Sequence, residues 1–287
     1  MDVAVIQRPR PIPILLYHSI DAVVRPAYAR WAMPSETFRR HLQIIAAEGY
    51  RPVTLDALSQ MMDGPETPDK LVCITFDDGL MDFVTGAMPV LQEFGCPATL
   101  FLVTGFLGGK ARWLASSDEA DRPMMAWSDV REVAREGIEC GAHSVSHREL
   151  DTLPGPAARD EIFNSKRAIE DKLGQAVRSF AYPYGYASAT TKRLVREAGF
   201  HAACRVNHGL SAKREDRFGL SRIIVTGDHT DDEMRAFLAG RTLPMAPPQS
   251  SLRQQGWRAY RRLRAHLARS DRPGPRRLLS GKPGAAE

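Results

Sequence analysis

Two adjacent carboxylates, Asp77 and Asp78, end the apolar run Leu71-Val72-Cys73-Ile74-Thr75-Phe76, and Gly79 follows at once. Later the chain offers Glu139-Cys140-Gly141-Ala142-His143-Ser144-Val145-Ser146-His147. A catalytic divalent metal takes about three protein ligands and keeps a position open for water. One of the carboxylates and the two imidazoles meet that need, and imidazole with carboxylate suits zinc, as well as cobalt, nickel or iron. The remaining carboxylate is left for proton chemistry, because a metal-bound water of lowered pKa still needs a base to take its proton. A regular strand alternates its side chains, so Asp77 and Asp78 reach one site together only if the strand ends between them.

The elements that must position these groups alternate along the chain. Apolar strand patterns fall at 14–18, 72–77, 98–103, 139–143, 179–182, 202–206 and 220–225. Helical patterns lie between them at 35–48, 83–94, 128–136, 156–173 and 190–198. Repeated strand-helix units argue for a parallel sheet covered by helices. Ser35 reads as the cap of the first helix. Gly95 and Gly174 each follow a helical pattern, where a left-handed C-cap is wanted. Periodicity alone does not decide a barrel from an open sheet.

Three ordered motifs resemble the polysaccharide deacetylases, the NodB-homology domain of carbohydrate esterase family 4. Thr75-Phe76-Asp77-Asp78-Gly79 is similar to the first motif and His143-Ser144-Val145-Ser146-His147 to the second. Arg178-Ser179-Phe180-Ala181-Tyr182-Pro183-Tyr184-Gly185 is similar to the third. The resemblance covers about residues 12–240. It implies a distorted (β/α) barrel of seven or eight strands. It makes Asp78, His143 and His147 the metal ligands, zinc first among candidates, and Asp77 the general base. It has Arg178 pair with Asp77 and orient it, and Pro183-Tyr184-Gly185 wall the groove, with the Tyr184 backbone N–H helping to hold the oxyanion. The implied reaction is hydrolysis of N-acetyl groups on an amino-sugar glycan, oligosaccharide or precursor. Relatives that cleave O-acetyl esters or cyclic amides, and a glycan binder without chemistry, are the alternatives.

The chain departs from the family in one respect: the late Leu-x-His that supplies the general acid is missing, and Arg222 stands where that histidine is sought. In a barrel the first and last strands are neighbours and sites gather at the C-terminal ends of strands. His18, closing Leu15-Leu16-Tyr17, is therefore a candidate acid. The Gly-containing stretch 104–127 is the first place to seek substrate contacts.

Domain boundaries follow from composition: an N-terminal extension at 1–11, a catalytic domain at 12–245 and a basic tail at 246–287. Residues 250–287 hold nine Arg and one Lys against Asp271 and Glu287, a net charge of +8. The whole chain carries +5, so residues 1–249 carry −3. Tyr260, Leu263 and Leu267 share a helical face among arginines, a pattern that fits an anionic membrane surface or a polyanion; beyond Asp271 the Pro, Gly and Arg content predicts disorder. Charge without an aromatic platform or recognised module gives no specific nucleic-acid reading. The start of the sequence has no basic segment followed by a long apolar core, and a cytoplasmic protein, peripheral to the inner membrane through its tail, is expected. The four cysteines are isolated, which predicts free thiols.

Overall fold

A computed structural model describes residues 11–64, 68–213, 215–245 and 252–270. The chain divides into two compact units, Met1–Pro248 and Gln249–Glu287. The N-terminal extension to residue 10 and the stretch beyond Ser270, where disorder is expected, lie outside the described residues.

The first unit is built on eight short strands: β1 (Ile14–Tyr17), β2 (Arg51–Val53), β3 (Leu71–Phe76), β4 (Thr99–Leu102), β5 (Glu139–Ala142), β6 (Ser179–Ala181), β7 (Ala202–Cys204) and β8 (Ile223–Ile224). All pair in parallel, in the order β7-β6-β5-β4-β3-β1-β8, while β2 pairs with the first half of β3. The register sets Leu15 against Ile74 and Ile223 against Leu15, so the first and last strands are neighbours. A parallel bridge from Cys204 to Leu220 carries β7 across to the segment that leads into β8, and the sheet thereby curls into a distorted barrel.

Around it lie α1 (Ser35–Ala47), α2 (Leu55–Asp63), α3 (Met88–Glu93), α4 (Trp127–Arg135), α5 (Gly155–Leu173), α6 (Ala189–Glu197) and α7 (Asp231–Leu238). Two of these, α2 and α7, and the strand β2 are additions to the sequence expectation. The first helix is capped by Pro34 with no side-chain bond, so Ser35 is its first residue and not its cap. The expected helix at 83–94 is split: a π turn, Phe83–Ala87, precedes α3. Gly86 there lies so close to the Ile20 backbone that a Cβ would stand 2.3 Å from the Ile20 carbonyl oxygen, a proximity that the wider π turn accommodates.

Alternation along the strands makes two cores. Leu15, Tyr17, Val72, Ile74, Phe76, Leu100 and Leu102 pack outward against helix residues such as Phe38, Leu42, Val90 and Ile162. Strand residues of the opposite parity, Ile14, Cys73, Phe101, Ala181 and Cys204, fill the interior, and Leu55, Leu58 and Met62 of α2 pack with them. Cys73, Cys140 and Cys204 are buried free thiols and Cys96 is half-buried and free. Each fully buried Leu, Ile or Phe side chain contributes about 1.5–3 kcal/mol.

Candidate active site and metal centre

The inward parity of β3 runs Cys73, Thr75, Asp77, so Asp77 leaves the strand pointing into the barrel mouth. By the same alternation Asp78 would turn outward. Its φ of 79° breaks the strand and brings the second carboxylate back to the same side. A left-handed φ is uncommon outside glycine and clusters where function constrains the backbone. Ser144 (65°), His147 (55°) and Tyr184 (56°) share it, all at this end of the barrel.

The histidine loop leaves β5 and is held on several sides. The His143 Nδ1–H donates to the Ala181 carbonyl at 2.7 Å, which fixes the tautomer and leaves Nε2 with its lone pair facing the site. Glu161 of α5 accepts from the Val145 and Ser146 backbone N–H groups at 2.9 and 2.8 Å and from the Ser146 hydroxyl, and the His147 N–H donates to Ser144 Oγ at 3.0 Å. The Nε2 atoms of His143 and His147 lie 3.7 and 3.4 Å from Asp78 Oδ1. One ligand atom from each of the three falls within 4.8 Å of the others. Asp78 Oδ1 and His147 Nδ1 are buried without a hydrogen-bond partner. A buried carboxylate oxygen facing two imidazole nitrogens is costly unless something satisfies it, and a divalent cation fits both donor set and spacing. Burial first, and then the Asp77 charge, raise the Asp78 carboxyl to about 8 without such an ion.

Asp77 is set differently. Arg222, wholly buried, donates from Nη1 and Nη2 to the two Asp77 oxygens at 2.6 and 2.7 Å. It also donates to Thr75 Oγ1 at 3.3 Å and to the Arg205 carbonyl at 3.2 Å. Burial pushes the Asp77 carboxyl up, but the Arg222 charge, His143 and the two hydrogen bonds outweigh it and hold the group well below the carboxylate range. Asp77 Oδ2 sits 3.8 Å from His143 Nε2, beside the three-ligand cluster and outside it.

The pairing expected of Arg178 is therefore corrected. Arg178 lies at the start of β6, at the opposite end of the barrel from the site. Its side chain is 43% exposed, donates to His201 at 2.8 Å and faces Asp56 at 3.8 Å. Arg222 comes from the last strand segment, next to β1 and β3. The signal in the sequence was its position: a lone charge inside Leu220-Ser-Arg-Ile-Ile-Val, which an apolar barrel tolerates only with a buried counter-charge.

The mouth opens into a cavity of about 300 Å³ lined by Asp77, Asp78, His143 and His147. Its walls include His18, Trp31, Trp113 and Tyr184, joined by Tyr28, Leu114 and Tyr186. His18 thus enters the site, its ring 4.6 Å from Trp31. Burial above all draws the His18 imidazole down to about 4, partly offset by the Asp77 charge. Tyr184 is half exposed, with its ring 4.6 Å from His147. Pro183 and Gly185 are buried behind it. Gly185 has φ 74°, and a Cβ there would stand 2.3 Å from the Val206 nitrogen, so only glycine lets the wall pass. Trp113 and Leu114 come from the 104–127 stretch. Trp31, Tyr28, Trp113 and Tyr186 were not singled out by sequence reasoning, because isolated aromatics in polar loops carry no periodic signal.

Comparison with known proteins agrees with this architecture. Residues 64–203 match the polysaccharide deacetylase family model. YxkH of Bacillus subtilis is 25% identical over 233 residues, 81% of this chain and 77% of that protein. The poly-beta-1,6-N-acetyl-D-glucosamine N-deacetylase of Staphylococcus epidermidis is 22% identical over 208 residues, 69% of each chain. Among solved structures, the Streptococcus pyogenes deacetylase PplD in complex with acetate superposes with a TM-score of 0.70 at 25% identity, covering 80% of this chain and 99% of that one. Fold, motif order and these matches together make residues 64–203 a polysaccharide deacetylase domain.

Proposed function

We propose that the protein is a metal-dependent hydrolase that removes N-acetyl groups from an amino-sugar glycan or oligosaccharide, releasing acetate. The observation that carries this reading is the Arg222-clamped Asp77 beside the partnerless Asp78 carboxylate and its two histidines, all at the floor of one aromatic-walled cavity. Aromatic faces suit the C–H faces of a sugar ring, and the Staphylococcus epidermidis relative carries the name of a glucosamine-polymer N-deacetylase.

In this reading Asp78, His143 and His147 hold the ion, zinc by donor chemistry, with cobalt, nickel or iron able to replace it. The bound ion supplies polarisation of the acetyl carbonyl and a water of lowered pKa. Asp77, kept ionised by Arg222, takes the water proton as general base. Its orientation is fixed because a fork of two hydrogen bonds leaves the carboxylate one way to lie. The Tyr184 backbone N–H lends a donor to the oxyanion. His18 is neutral at rest near pH 7. It becomes a donor to the departing amine by receiving the proton that Asp77 collects, so that water's proton ends on nitrogen and the charge balance closes.

The test is acetate release from a panel of N-acetylated and O-acetylated sugars, with zinc, cobalt or chelator, beside Asp77→Ala and His18→Ala. Release from N-acetyl substrates that needs metal and vanishes in Asp77→Ala is expected. Release from esters alone would replace the reading by an esterase, and near-normal turnover in His18→Ala would remove His18 from the mechanism.

A further inference from the structure

The second unit contains α8 (Leu252–Ser270), which the catalytic reading does not use. Its sequence holds six arginines and no acidic residue. Trp257, Tyr260, Leu263 and Leu267 are 51%, 54%, 58% and 55% exposed. Spacings of three, three and four residues keep these four within about a third of the helix circumference. Large apolar side chains exposed together on one arc are unusual on a solvated helix. Trp257 and Tyr260 stack at 5.6 Å between ring centroids, presenting one aromatic plate. Exposed Arg262 falls opposite the arc and exposed Arg264 at its Trp257 end. Arg264, so placed, can extend to headgroups while its stem covers apolar surface, and Arg262 adds positive charge within a Debye length of the same surface.

We propose that α8 binds an anionic lipid surface, lying in the interface with Trp257, Tyr260, Leu263 and Leu267 inserted and the exposed Arg262 and Arg264 supplying positive charge at the headgroups. Charge complementarity selects the lipid: residues 250–287 carry +8, whereas residues 1–249 carry −3 and are repelled by the same surface. Apolar insertion selects a membrane over a soluble polyanion, for which the aromatic and leucine arc has no use. No helix among the described residues is long and apolar enough to cross a membrane, so α8 lies on the bilayer and does not span it.

The test is co-sedimentation of the full chain with vesicles of phosphatidylcholine, with and without phosphatidylglycerol, at low and high salt. Two variants accompany it, Trp257→Ser/Leu263→Ser/Leu267→Ser and Arg262→Glu/Arg264→Glu, each checked by an unchanged thermal transition of the first unit. Binding only to anionic vesicles, weakened by salt, is expected. Charge reversal should weaken it at least twentyfold, since each basic residue near such a surface changes partitioning about fivefold. The serine variant should lose binding as well. Binding that survives the serine variant and is matched by heparin or duplex DNA would make the helix a polyanion binder. Failure of the parent chain to sediment with anionic vesicles would overturn the proposal. Neither result bears on acetate release, because none of these residues lines the cavity.

Discussion

Arg222→Met is the sharpest perturbation of the site. It removes a guanidinium that is fully buried and bonded at 2.6 and 2.7 Å to both oxygens of a carboxylate itself only 4% exposed. Breaking one side of a buried pair strands the other charge and costs about 3–5 kcal/mol. For a unit of this size that lowers the thermal midpoint by about 10 °C. Without its partner, the burial that pushes Asp77 upward is no longer outweighed, and the ionised fraction near neutrality falls. A general base is worth about a hundredfold to ten-thousandfold in rate, so kcat/KM should drop by about a hundredfold or more and its acid limb should move to higher pH. The double variant Asp77→Asn/Arg222→Met carries no stranded charge. It should recover several kcal/mol of stability while staying inactive, separating the electrostatic cost from the catalytic one. Arg178→Ala is the control: its pairs are exposed and worth at most about 1 kcal/mol. Chemical denaturation and acetate release across pH read all four proteins. An Arg178→Ala enzyme as impaired as Arg222→Met, or an Arg222→Met enzyme with an unmoved acid limb and intact rate, would refute the assignment.

Other outcomes follow from the same geometry. Zinc should raise the thermal midpoint of the metal-stripped protein, by about 2.7 kcal/mol of stabilisation at a hundredfold excess over Kd, and His143→Ala should abolish that rise in a melting assay. His41 is buried against Tyr17 at 3.3 Å, and burial above all lowers its imidazole to about 4. The unfolded chain therefore binds the proton first as pH falls from about 6.5, and stability should drop by about 3 kcal/mol by pH 4. His18, also drawn down by burial, contributes a loss of the same sign, so His41→Phe should make that limb shallower by about 3 kcal/mol in denaturation curves without flattening it. Gly185→Ala forces a left-handed residue against the Val206 backbone and should cost at least about 1–2 kcal/mol. Displacement of the Tyr184 wall should raise KM, and an unchanged KM and stability would show that the wall yields.

How far the sequence could be read depended on whether a signal was local. The strand-helix alternation, the three metal ligands and the base each sit in a short run whose residue types and spacing suffice. His18 was reachable because neighbouring first and last strands follow from closure of a barrel. The helix α7 announced itself by Thr230 and Glu233, which form a capping box, and it was passed over because its apolar stripe is short. Arg222 is another matter. Its own strand holds only Ile223–Ile224, and nothing near it in sequence names Asp77 as its partner, 145 residues away. The motif instead points to Arg178, which the start of β6 carries to the other end of the barrel. The aromatic wall is equally non-local, since Trp31, Trp113 and Tyr186 meet only where separate loops converge. Sequence by itself determined which groups could bind a metal and move a proton, because ligand chemistry resides in side-chain types at short spacing. Tertiary structure alone decided which arginine clamps the base and what surrounds the substrate, because a buried charge takes its partner from whatever the closed sheet brings within 3 Å.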